Sequence, residues 1–141
     1  MHKEYRQRLA KEYRYAATRM QQESQLAKRL FYFSVFYGEA QRVLNMEWDR
    51  DLVLIFTVTQ QAYAQINTIT IAPMLPATAI DMSIISDKLT NTASDLAAYF
   101  EKTEVETNEG ELCQILGRFA ELAYIVSGNG SYLYEKGLIK L

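Results

Sequence analysis

One cysteine, one histidine, two prolines and six glycines are all that this chain of 141 residues carries of the residue types that staple, ligate or punctuate a fold. Cys113, being alone, can form no internal disulfide and cannot build a cysteine-based zinc site, and a lone thiol suits a reducing, cytoplasmic compartment. His2 stands at a terminus, where side chains fray, so the body of the chain lacks the commonest catalytic base and metal ligand. No Ser-His-Asp set can form away from it. The Glu-x-x-His pairs of carboxylate-bridged metal bundles are missing, and no glycine spacing approaches that of a phosphate-binding loop. No catalytic residue, metal ligand or cofactor is therefore assigned, and the failed templates lean away from an enzyme.

Charge is missing in one place. From Leu52 to Ile80 there is no Asp, Glu, Lys or Arg. The run is long enough to cross a bilayer, but Gln60, Gln61, Gln65, Asn67, Pro73 and Pro76 give it a polar load that argues against a membrane span. The N-terminal thirty residues are charged throughout and contain no apolar core of a secretory signal. A cytoplasmic protein without a membrane anchor is expected.

What is present is helical periodicity. Apolar residues make up 49% of the chain and charged residues 23%, the balance of a globular protein, and the length suits a single domain over residues 1–141. Tyr5, Leu9, Ala16, Met20 and Ala27 fall on one side of a first helix. Leu26, Leu30, Phe33, Tyr37, Ala40 and Leu44 form the seam of a second, with Ser24 as its cap and Gly38 inside it to admit a close backbone. Leu52, Ile55, Thr59, Ala62, Ile66 and Ile69 make a third, although β-branched stretches at 52–58 and 67–71 also allow two strands. Pro73 and Pro76 end it. Thr78 is placed to cap a fourth, built on Met82, Ile85, Leu89, Ala93, Leu96 and Phe100.

Asn108 with Glu111 has the form of a capping box opening a fifth helix on Leu112, Ile115, Leu116, Phe119, Leu122, Ala123 and Val126. Gly128, Asn129 and Gly130 stop it, Ser131 can cap a last short helical turn running through Tyr134 to about Lys136, and Gly137 releases an apolar tail from Leu138 to Leu141. Connections of a few residues between helices of this length favour antiparallel neighbours. The expected fold is all-α, an up-and-down helical bundle of four to five long helices plus a short C-terminal helix.

The chain is electrically lopsided. Residues 1–29 hold eight basic and three acidic side chains, and the rest holds seven basic and fourteen acidic. Lys3, Arg6, Lys11 and Arg14 could present a nucleic-acid surface, or the basic helix could lie against acidic neighbours in its own bundle. Among carboxylates, Glu39 reads as an exposed partner of Arg42, three residues on. Asp81, Asp87 and Asp95 lie away from the fourth seam, where a Mg²⁺-binding row is conceivable and solvation is the ordinary explanation. The acidic run at Glu101, Glu104, Glu106, Glu109 and Glu111 matches no calcium loop. Phe31, Tyr32, Phe33, Phe36 and Tyr37 form an aromatic cluster that could line a flat pocket, but whose period says core.

Leu30 to Leu44 resembles in composition the second helix of the small helical domains called HEPN, many of which bind or cut RNA as dimers. No histidine follows His2, so the paired catalytic Arg and His of that family have no counterpart here, and no residue is carried over.

These readings favour a non-enzymatic interaction or scaffold protein that self-associates. The uncharged outer side of the third helix, with Leu54, Thr57, Gln61, Thr68 and Ile71, is the expected oligomer interface. The alternatives are a nucleic-acid-binding module on the first helix and a Mg²⁺-dependent phosphate-ester or nucleotide hydrolase.

Overall fold

The structure is a computed structural model that describes residues 1–71, 81–127 and 135–137. Five long helices carry it: α1 (Lys3–Gln22), α2 (Leu26–Leu44), α3 (Arg50–Ile71), α4 (Met82–Glu101) and α5 (Glu109–Val126), with a single 3-10 turn at Glu104–Glu106 between the last two. No strand occurs among the described residues. The β-branched content of α3 is therefore overridden by its seam. Leu52, Ile55, Thr59, Ala62 and Ile66 are fully buried along one side, and the Thr59 hydroxyl returns its hydrogen bond to the Ile55 carbonyl at 2.6 Å.

Helix boundaries follow local chemistry. Asp49 accepts from the Leu52 amide at 3.1 Å at the start of α3, and Asn108 accepts from the Glu111 amide at 2.8 Å at the start of α5. The Glu111 side chain does not complete that box, because Lys102 holds it at 2.6 Å. A full capping box forms instead at Thr103 and Glu106. Asp81 caps α4 by accepting from the Ser83 amide at 2.8 Å, a bond that lowers its carboxyl pKa. Ser24 is not a cap. Gln25 occupies that position of α2 without a side-chain bond. Thr78, Pro73, Pro76 and the residues expected to end the chain at 128–134 and 138–141 lie outside the described residues, while Gly137 takes a left-handed φ of 73°, as a helix-releasing glycine does.

The helices form a closed ring in the order α1, α2, α3, α5, α4, and α2 also touches α4 across the middle. Consecutive helices pack together except α3 and α4, which make no contact because α5 stands between them. Direction alternates along the chain. The His2 amide bonds Glu47, which sets the start of α1 beside the α2–α3 connection, Arg6 reaches the end of α4, and Arg50 at the start of α3 pairs with Glu109 at the start of α5. Five is odd, so a ring of alternating helices must contain one parallel pair of neighbours. That pair is α3 and α5.

Buried residues from all five helices form one core. The seams expected for α4 and α5 are buried as a set except Met82, which is half-buried. In α2 the buried side is turned slightly from the expected one: Phe36 and Val43 are fully in, and Tyr37 and Leu44 only partly. Phe33 and Phe36 stack into Tyr13 of α1 and Phe119 of α5. Ala27 is exposed at the start of α2 rather than closing the side of α1. Gly38 meets nothing within 4 Å of an added Cβ, so it is open surface and not the site of a close backbone contact.

Leu89 and Phe119 are both 0% exposed. We expect Leu89→Ala and Phe119→Ala each to cost about 2–5 kcal/mol in urea unfolding; losses under about 0.5 kcal/mol would place them outside a packed core.

Candidate functional site

Of the arginines in the first 29 residues, Arg6, Arg14, Arg19 and Arg29 are partly buried and bond within the fold and Arg8 is exposed but reaches Glu39, whereas Lys3, Lys11 and Lys28 are exposed. Arg6 donates to the carbonyls of Tyr99 and Lys102 at 3.1 and 3.2 Å, satisfying the open end of α4, and lies within 5.3 Å of the Tyr99 and Phe100 ring centres. Arg14 holds Glu101 at 2.6 Å and the Ser94 hydroxyl at 3.2 Å. Arg29 donates to the carbonyls of Met20 and Glu23 at 3.0 and 2.7 Å, and to Ser86 and Asp87 at 2.8 and 2.9 Å. Arg19 donates to the Tyr32 hydroxyl at 2.7 Å. Of the four cations expected to meet nucleic acid, Arg6 and Arg14 are thus engaged with α4, and Lys3 and Lys11 remain on the surface.

Glu39 departs from expectation. It is buried, at 8% exposure, and receives Arg8 of α1 at 3.0 Å as well as Arg42 at 3.7 Å. The turned phase of α2 carries it inward beside Phe36 and Val43, where the second arginine offsets the cost of desolvation. Tyr13, fully buried below, donates to the Phe36 carbonyl at 2.7 Å. Burial, with a smaller contribution from the Glu39 carboxylate, pushes its hydroxyl far above the ordinary value near 10.

The remaining acidic candidates are spread apart. Asp81 is a cap, Asp87 pairs with Arg29 and Asp95 pairs with Arg118 at 2.7 Å. Glu101, Glu109 and Glu111 each pair with a different cation, Arg14, Arg50 and Lys102. Among the described residues no three His, Cys, Asp or Glu side chains gather as metal ligands would. No helix among them is long and apolar enough to cross a membrane. A hollow of about 820 Å³ opens between the start of α1 and the end of α4, over Ala10 and Phe100; Lys3 lines it together with Arg6, which is bound to the α4 end, and Lys102, which is bound to Glu111.

The uncharged side of α3 is different, since it points outward from the ring. Leu54, Thr57, Gln61 and Thr68 are all exposed, with Val53, Gln60 and Ala64 between them; the side chain of Ile71 lies outside the described residues. Leu54 and Val53 are 42% and 37% exposed although both are aliphatic. The adjoining side of α5, unforeseen from sequence, extends this surface without charge through Cys113, Gly117, Ala120 and Tyr124, all exposed. Between the two helices lies an apolar hollow of about 260 Å³, lined by Val58, Gln61 and Gln65 of α3 and by Ala120, Ala123 and Tyr124 of α5. Small-molecule sites commonly occupy roughly 300–1,000 Å³, so the hollow suits a side chain better than a cofactor. Gly117 adds a second oddity. An added Cβ there meets nothing within 4 Å, so nothing among the described residues requires a glycine that costs the helix about 1 kcal/mol against alanine.

Comparison with protein-family models, with curated proteins and with solved structures gives no match.

Two outcomes follow from the inward groups. Arg29→Ala should cost about 2–4 kcal/mol in urea unfolding, since it strips four acceptors of a mostly buried partner, while its exposed neighbour Lys28→Ala should stay within about 0.5 kcal/mol. Equal effects would mean that the basic segment is not fastened through its arginines. Tyr13 is neutral in both states below pH 10; above it, the unfolded chain releases the proton and the folded chain keeps it, so stability falls by up to about 1.4 kcal/mol per pH unit. Between pH 9.5 and 11 the melting temperature of the wild type should drop more steeply than that of Tyr13→Phe, and parallel slopes would contradict the buried hydroxyl.

Proposed function

We propose that this protein is a non-enzymatic interaction or scaffold bundle that acts as a self-associated pair, joined through the outward side of α3 and the adjoining side of α5. The observation that carries the reading is the continuous, exposed and uncharged surface from Val53 to Thr68, in a molecule whose other outer sides bear charges. A helix on a bundle surface ordinarily shows a charged outer face. Depletion of charge at the centre of a patch, with polar amides and hydroxyls left to hydrogen-bond, is the composition of an interface.

Charge also selects the partner. A neutral face meets its own copy without the repulsion that a face of one sign would suffer in a two-fold pair. Size supports the same occupant. The stretch of α3 from Val53 to Thr68 runs about 24 Å, and two adjacent helices span about 20 Å, giving roughly 500 Å² per copy or about 1,000 Å² in the pair, the least that a specific interface needs. The lone thiol and the absence of a membrane-length apolar helix among the described residues fit a cytoplasmic setting for such a pair. The nucleic-acid alternative is weakened by the two arginines spent on α4.

Light scattering over a dilution series should report a dimer at micromolar concentration. Gln61→Glu with Thr68→Glu should raise the dissociation constant at least tenfold, since two added charges of one sign cannot pair with each other in any register. A wild type that is monomeric throughout, or a double variant that associates as strongly, overturns the reading.

A further inference from the structure

The uncharged face carries both a projection and a hollow. Leu54 projects near the start of α3, and the hollow of about 260 Å³ lies further along, centred near Gln61 between α3 and α5. Both are on the α5 side of the outward face. On a helix that rises about 1.5 Å per residue they are separated by about 10 Å. Resting on the self-association argued above, we propose that two copies pack with their α3 helices antiparallel, so that Leu54 of each copy fills the α3/α5 hollow of the other.

The symmetry is constrained by these positions. A two-fold axis lying in the interface and perpendicular to α3 reverses the helix direction and keeps the α5 sides together. Set level with Thr57 and Val58, midway between projection and hollow, it brings Leu54 opposite Gln61 and Thr57 opposite its own copy. An axis parallel to α3 would instead set Leu54 level with its own copy and leave both hollows unfilled. The same perpendicular axis explains Gly117. With Arg50 beside Glu109 and Gln61 beside Ala120, the level of Thr57 and Val58 on α3 corresponds to Leu116 and Gly117 on α5. A glycine with open space over it lies where the two α5 helices approach, and the missing side chain lets their backbones come close. Gly38 shares the open space but lies on α2, away from this face.

The test uses the full chain. In a Cys113→Ser background, Thr57→Cys should oxidise to a covalent dimer, because a residue on the axis brings its Cα within the span of a disulfide. Asn91→Cys, exposed on α4, serves as the control and should cross-link at least tenfold more slowly. Leu54→Glu should raise the dissociation constant at least tenfold with the helical circular dichroism spectrum unchanged, and Leu54→Gln, which adds no charge, provides a second variant. A dimer by light scattering in which Thr57→Cys cross-links no faster than Asn91→Cys, or in which both Leu54 variants associate like the wild type, overturns this arrangement and leaves self-association standing. A wild type that stays monomeric overturns both.

Discussion

Arg29 is the point on which the assembly of the bundle turns. Its guanidinium ties the last carbonyls of α1 to Ser86 and Asp87 near the start of α4, helices that are remote in sequence. Arg14 and Arg6 repeat the bond further along α4, at Ser94 with Glu101 and at the final carbonyls. Since α3 never touches α4, the helix that follows α3 in the chain is located by α1, α2 and α5. The fastening suits arginine better than lysine: a planar fork with five donors can serve several acceptors in different helices, whereas an ammonium acts as a single point of charge. The lysines of the same segment lie in water.

That division explains how the charge asymmetry could be seen in the sequence while its use could not. Eight cations in the first 29 residues are compatible with a surface for polyanions and with a helix laid on acidic neighbours. Deciding between them requires knowing that α4 lies beside α1, which no local pattern encodes. Glu39 was hidden for a related reason. Phe36 and Tyr37 are both aromatic, and Val43 and Leu44 are both aliphatic, so two phases of α2 fit the spacing equally well. Only contact with Arg8 of another helix selects the phase that buries the carboxylate.

The long helices were legible because a three-four spacing repeated over some twenty residues has few other solutions. Aspartate and asparagine caps at short connections were half legible. Asn108 bonds as its sequence implies, but Glu111 is drawn away by Lys102, a competition set by the fold of the following turn. The uncharged side of α3 could be read directly, since an absence of charge over so long a run belongs to the sequence itself. Its continuation on α5 could not. Loop length suggests that α3 and α4 are neighbours, and the insertion of α5 between them creates both the hollow and the surface around Gly117.

An odd number of alternating helices also gives the molecule two unlike ends. The starts of α1, α3 and α5 gather at one end and only those of α2 and α4 at the other, so the partial positive charges of three helix N-termini outnumber two. The acidic residues are distributed accordingly: Glu4, Asp51, Glu109 and Glu111 occupy the first turns at the three-start end, while the first turns of α2 and α4 have none and Asp81 caps the start of α4. Glu109 and Glu111, which close the acidic run of the α4–α5 connection, are thus a counterweight to the peptide dipoles of α5. A lysine in place of one of those carboxylates would add to the dipoles instead of opposing them, so the bundle has one pole that tolerates basic substitution less than the other.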